Sequence, residues 1–129
     1  MTTDRKAQIA LLKIQMAAAK KGAIVSVPTT PARYDLVVDE HGKLYRVQVK
    51  FADCAAQNSQ GAVRLDLRRR KRRYTRDEID ALLVYIPQID AVCWFPPEVF
   101  HDKINLQLRM VPTRNGQKQG CLMLADHIW

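Results

Sequence analysis

Near the start of the chain, apolar side chains recur three and four residues apart: Ile9, Leu12, Met16 and Ala19, with Leu11 and Ile14 widening the stripe. That period predicts an amphipathic helix over residues 4–21. Thr3 or Asp4 can cap its start, Lys20 and Lys21 suit the negative end of its dipole, and Gly22 is the expected stop. Ala23 to Val27 then reads as a short strand, broken by Pro28-Thr29-Thr30-Pro31-Ala32. Leu36-Val37-Val38 reads as a buried strand, and Glu40-His41-Gly42-Lys43 as a turn in which Gly42 can take positive φ. Leu44 to Phe51 alternates, with Leu44, Arg46, Gln48 and Lys50 on one face and Tyr45, Val47, Val49 and Phe51 on the other. A hairpin whose turn centres between His41 and Gly42 sets Asp35 opposite Gln48, on the face that also carries Lys50. A slip of one residue would pair Asp35 with Val47 and turn it away.

The rest of the chain is patterned more weakly. Ala52 to Gly61 is a polar loop, and Ala62 to Leu67 a further strand running into Arg68–Arg73. Tyr74 to Asp80 reads as a capped helical turn, with Thr75 as cap and Glu78 three residues on. Leu82–Ile86 and Ala91–Phe95 are apolar runs expected as strands, Ile104–Met110 an edge strand, and Leu122–Trp129 a last helix. With 129 residues, a single domain over 1–129 is expected.

Charge changes the picture most. The net charge is +8, and the window 64–76 holds eight basic residues against Asp66 alone. The excess is therefore one concentrated patch, which favours a polyanion, most simply nucleic acid. Lys43, Arg46, Arg64, Arg68, Arg69, Arg70, Lys71, Arg72 and Arg73 are the candidate contacts, and Tyr74 at the end of the block can stack or pack. Three cysteines, Cys54, Cys93 and Cys121, form no C-x-x-C pair, so zinc and a disulfide framework are unsupported. No run of eighteen apolar residues and no signal-peptide pattern is present, so a cytoplasmic, nucleoid-associated protein without a membrane span is expected.

Hydrolysing a phosphodiester requires an activated water and neutralisation of phosphate charge, which a divalent metal and a nearby cation supply. Asp35 offers a carboxylate, Gln48 an amide oxygen, Val49 a backbone carbonyl and Lys50 the cation. The spacing alone is unspecific, and an ordinary surface hairpin can carry it.

The order helix, strand, Asp strand, Gln-x-Lys strand, basic segment and a further helix at Thr75–Asp80 resembles the PD-(D/E)-x-K nuclease superfamily. Within it the chain looks most like the small endonucleases associated with group I introns, which are similar to archaeal-type Holliday junction resolvases. The resemblance is carried by Gly22 to Pro28, by Tyr34-Asp35-Leu36-Val37-Val38 and by Val47-Gln48-Val49-Lys50. It implies an α/β restriction-endonuclease-like core, a mixed central sheet flanked by helices. It also implies Mg²⁺ or Mn²⁺ held by Asp35, Gln48 and the Val49 carbonyl, with Asp35, Gln48 and Lys50 as catalytic residues. The implied substrate is DNA, duplex or branched, cut at a specific site or at a junction. Cutting both strands implies a homo-oligomer, a dimer or tetramer. Relatives often carry a helix Glu that points at the metal, and here Leu11 stands in its place. The alternative is a decayed nuclease core that binds DNA without cutting it.

Overall fold

The computed structural model describes residues 1–53, 61–110 and 122–129. Cys54, Cys121 and most of the loop expected over residues 52–61 lie outside the described residues.

Helix α1 spans Thr3–Lys21. Its cap is Thr2, one residue ahead of the expected pair, whose hydroxyl accepts from the Arg5 N–H at 3.2 Å. Gly22 ends it with φ 75°, the left-handed conformation that a Cβ disfavours. The buried face is Ala10, Ile14 and Ala18, whereas Leu12 and Met16 are each 56% exposed. The expected stripe is thus rotated. The small side chains of Ala10 and Ala18, either side of Ile14 in a row spaced four apart, let the helix axis approach the sheet closely, while Leu12 and Met16 are turned to its flank.

Strands β1 (Ile24–Ser26), β2 (Leu36–Glu40) and β3 (Lys43–Phe51) follow. Next come β4 (Ala62–Asp66) and a two-stranded ribbon of β5 (Arg68–Arg69) and β6 (Arg72–Arg73). Strands β7 (Ala81–Ile86) and β8 (Ala91–Phe95) form a hairpin. The four-residue helix α2 (Pro97–Phe100), β9 (Asn105–Arg109) and β10 (Leu122–Met123) complete the elements, with a 3₁₀ turn at Leu124–His127.

The main sheet has the order β1-β2-β3-β7-β8. It is mixed, because β3 and β7 run parallel while the other neighbours are antiparallel. All six residues of β7 are buried, as a central strand covered on both faces must be. On one face α1 packs over Val38, Val47, Leu83 and Tyr85. On the other a second sheet, order β10-β9-β4, closes a core of Leu82, Val84, Ile86, Phe95, Leu65 and Leu108.

Three expectations are corrected. The strand near Ile104–Met110 is the middle strand of the second sheet, not an edge. The C-terminal segment is a short strand and a 3₁₀ turn, with Ile128 bridging Cys93, not a helix. Its Leu122 and Leu124 gain more by joining the core between the sheets than a short helix could return against its nucleation cost. Thr75–Asp80 forms one turn, closed by Glu78 and Ile79 N–H groups on the Thr75 carbonyl, and does not extend into a helix. Among the described residues no helix is long and apolar enough to cross a membrane.

Candidate active site

The β2–β3 hairpin has the register that the alternation requires. Leu36 faces Val47 and Glu40 faces Lys43, so the turn is His41-Gly42. Both turn residues have positive φ, 54° and 87°, and the Asp39 carboxylate accepts from the Gly42 N–H at 2.9 Å. Asp35 lies one residue before β2, just beyond the last paired residues Leu36 and Val47. Asp35 is fixed there twice. Its N–H donates to the Val47 carbonyl at 2.9 Å, and its Oδ2 accepts from the Val49 N–H at 3.0 Å. Strand β2 has ended by this point, so the β2 side of β3 is open at Val49. In an extended strand a residue's N–H and C=O point to the same side, so the Val49 carbonyl faces the same opening.

Gln48 is the one amide or charged side chain that is buried among the described residues, 6% exposed. Its Nε2 reaches the Val49 carbonyl only at 3.5 Å, and its Oε1 is buried without any donor. An unpaired amide oxygen in an apolar setting costs free energy, so its retention is a functional signal. Lys50, two residues on, extends its Nζ over the Tyr74 ring, 5.3 Å from the centroid. Burial lowers the Lys50 pKa, opposed by the charges of Asp66 and Asp35 and assisted by Arg69 and Arg33. Tyr74 is fully buried, its hydroxyl has no partner, and burial pushes its pKa up to about 12. Arg33 lies over the same ring at 4.4 Å, so Tyr74 carries two cations.

The arginine-rich block is a ribbon packed beside this opening. Arg69 donates to the Ala32 carbonyl at 3.1 Å and Arg33 to the Arg73 carbonyl at 3.0 Å. Glu78 receives both Arg33 at 2.8 Å and Arg72 at 3.0 Å, which keeps its pKa below the usual carboxylate range against its burial. A cleft of about 320 Å³ lies between the ribbon and the Pro31–Arg33 segment. Arg46 is not a free cation. The Asp80 carboxylate accepts from its N–H at 2.7 Å and from Nε and Nη2 at 3.1 Å, and Nη1 donates to the Asp77 carbonyl. Lys43 lies over Tyr45 at 5.2 Å, and Arg64 is exposed on β4 of the second sheet.

Leu11 packs into the apolar cluster under α1, with Val49 and Phe51, on the sheet face opposite Gln48 and Lys50. The helix therefore brings no acid to the opening. Among the described residues no group of three His, Cys, Asp or Glu side chains could hold a metal ion. The donors present are one carboxylate, one amide oxygen and one backbone carbonyl. An all-oxygen set fits a hard cation such as Mg²⁺ or Mn²⁺ better than zinc. The orphaned Gln48 Oε1 is the observation that favours the fit.

Arg33, Asp66 and the cation-bearing role of Tyr74 were not apparent from the sequence. Arg33 belongs to no motif. Asp66 had one signal, its place as the lone acid in the basic window.

A family model described as PD-(D/E)XK endonuclease matches residues 1–128. Among solved structures, that of a bacterial homing endonuclease, I-Ssp6803I, superposes with a TM-score of 0.76 at 26% identity. The match covers 98% of this chain and 86% of that one. No curated protein matches significantly.

Proposed function

The chain belongs to the PD-(D/E)XK endonuclease family and is a DNA endonuclease, and on that premise we propose that it cuts duplex DNA at specific sites with a divalent metal held at the open end of the β2–β3 hairpin. The observation that carries this reading is the buried, partnerless Oε1 of Gln48 beside the anchored Asp35 carboxylate. Asp35, Gln48 and the Val49 carbonyl would hold the metal. Bound Mg²⁺ or Mn²⁺ would neutralise phosphate charge and make a water molecule more acidic.

The chain's own groups prepare the rest. The Val49 N–H orients the Asp35 carboxylate by occupying Oδ2, which leaves Oδ1 for the opening. Lys50 is held by the Tyr74 face and by partial burial, so its ammonium is poorly hydrated. A poorly hydrated cation in a low-dielectric setting stabilises charge on the phosphate oxygens more strongly than one in water. The ribbon supplies phosphate-binding cations beside it. One domain spans the chain and holds one site, so cutting both strands takes two copies related by a two-fold axis.

Plasmid and linear duplex DNA incubated with Mg²⁺ or Mn²⁺ test the reading. The wild type should cut at discrete positions, and Lys50→Ala and Asp35→Asn should each lower the rate at least about a hundredfold while DNA binding persists. Cleavage in EDTA, or an active Asp35→Asn, would refute the metal site. Binding without cleavage in either metal would support the decayed reading instead.

A further inference from the structure

The ribbon of β5 and β6 closes through a two-residue turn. Arg69 pairs with Arg72, so Arg70 and Lys71 form the whole turn. Both have positive φ, 52° and 63°. Hairpin turns of this kind favour Asn-Gly or Gly-Gly, because the left-handed region penalises a Cβ. An arginine followed by a lysine is therefore a strained choice. Nothing in the packing rewards it, since both side chains are exposed. Strain retained without a structural return points to a function at that position.

The ribbon's other four arginines are engaged. Arg68 meets the Asp66 carboxylate at 3.3 Å, Arg69 the Ala32 carbonyl, Arg72 the Glu78 carboxylate, and Arg73 the Asp102 carbonyl at 3.3 Å. Arg70 and Lys71 have no such partner among the described residues. The base of the ribbon is thus fastened to the fold, while the exposed tip makes no hydrogen bond or ion pair among the described residues, Arg70 only bordering the cleft beside Pro31–Arg33. The fastening also sets the tip relative to the scissile site. Arg33 joins the Arg73 carbonyl to the Tyr74 ring, and that ring lies under Lys50.

We propose that Arg70 and Lys71 enter the major groove of duplex DNA and read base edges, while Arg68, Arg69, Arg72 and Arg73 hold the ribbon in position. The proposal rests on the reading of the chain as a site-specific enzyme on duplex DNA. A two-residue strand and its turn project roughly 10 Å at about 3.4 Å per residue. The major groove is about 8.5 Å deep and admits a two-stranded ribbon, and arginine or lysine there pairs with the O6 and N7 edge of guanine.

The test is the double variant Arg70→Asn/Lys71→Gly, which installs the pair the turn prefers. Wild type and variant, each full-length, are melted and then equilibrated with a random-sequence duplex pool without divalent metal, and the bound fraction is sequenced. The variant should melt at the same or a higher temperature. The wild type should enrich a defined sequence. The variant should lose roughly tenfold or more of the preference at two or three adjacent positions and keep the rest. A variant with the wild-type preference at every position overturns the proposal. A uniform loss of affinity with a shallower salt dependence does so too, because it marks phosphate contact only. A lower melting temperature would remove the strain argument. A wild type that binds duplex without enriching any sequence refutes site specificity itself, which distinguishes that failure from failure of the tip.

Discussion

Gln48→Met replaces the buried amide by a side chain of similar length that has no polar atoms. In the absence of divalent metal the amide contributes little to the fold. Its Oε1 has no donor, and its Nε2 contact at 3.5 Å is at the limit of a hydrogen bond. An unpaired amide costs roughly 1–3 kcal/mol by protein mutational data. A volume-conserving swap to methionine costs less than about 1.5 kcal/mol in packing. The variant should therefore be more stable than the wild type by about 1 kcal/mol in EDTA. For a domain of this size that corresponds to a rise of roughly 3–6 °C in Tm. Urea denaturation at fixed protein concentration, with a parallel melt, measures it. Mn²⁺ should then raise the wild-type midpoint by its binding free energy and the variant's much less, because one oxygen ligand is gone. Cleavage should fall in the variant. A Gln48→Met protein that is less stable than the wild type in EDTA by 1 kcal/mol or more would refute the reasoning, since the amide would then have partners. Equal stabilisation of both proteins by Mn²⁺ would remove Gln48 from the metal site.

Lys50→Met should stabilise the protein at pH 7, and the gain should shrink toward pH 10. The Lys50 pKa is lowered by burial in the fold, so between that value and the ordinary 10.5 the unfolded chain binds more protons and wild-type stability rises with pH. Tyr74, with its hydroxyl pushed up to about 12, acts in the opposite sense but is common to both proteins, and urea midpoints at the two pH values give the difference. Asp80→Ala should cost about 1 kcal/mol at pH 7, a figure discounted for the half-exposed ion pair with Arg46. The Arg46 hydrogen bonds lower the Asp80 pKa below 3.8, so the contribution is present above 3.8 and lost as the pH falls through the folded value. Variant and wild type should therefore converge in stability as the solution is acidified. Cys93 is fully buried and its thiol is raised to about 11 by burial, so iodoacetamide at pH 8 should leave it unmodified until urea unfolds the chain, as read by peptide mass spectrometry.

The central hairpin was legible because period-two alternation and a turn with Gly42 determine one register, the one in which Leu36 faces Val47 and Asp35 follows at the end of the strand. Strand β7 was legible for a related reason, since a continuous apolar run suits a strand buried on both faces. The helix was legible in extent but not in orientation. Its Leu12–Met16 row carries more hydrophobicity than the Ala10–Ile14–Ala18 row, yet close approach to a sheet rewards small side chains. The second sheet was hidden because its strands are short and pair only with each other, across forty residues of chain. The placing of the candidate residues Asp35, Gln48 and Lys50 at one end of the hairpin could be read from local periodicity. The Tyr74 platform and the Arg33–Glu78–Arg72 junction could not, because they exist only once the ribbon has packed against the Pro31–Arg33 segment.

The parallel pairing of β3 with β7 also governs how the protein is assembled. Parallel neighbours need a crossover, and this one runs from Phe51 to Ala81 with β4, the arginine ribbon and Tyr74 inside it. Closing so long a loop must precede the gain from the central pairing, which places it late among the folding events. The β2–β3 hairpin can zip early on its own, but without the crossover Lys50 has no aromatic platform and the ribbon no anchor. The Lys50 platform and the ribbon's anchorage thus both wait on the same folding step.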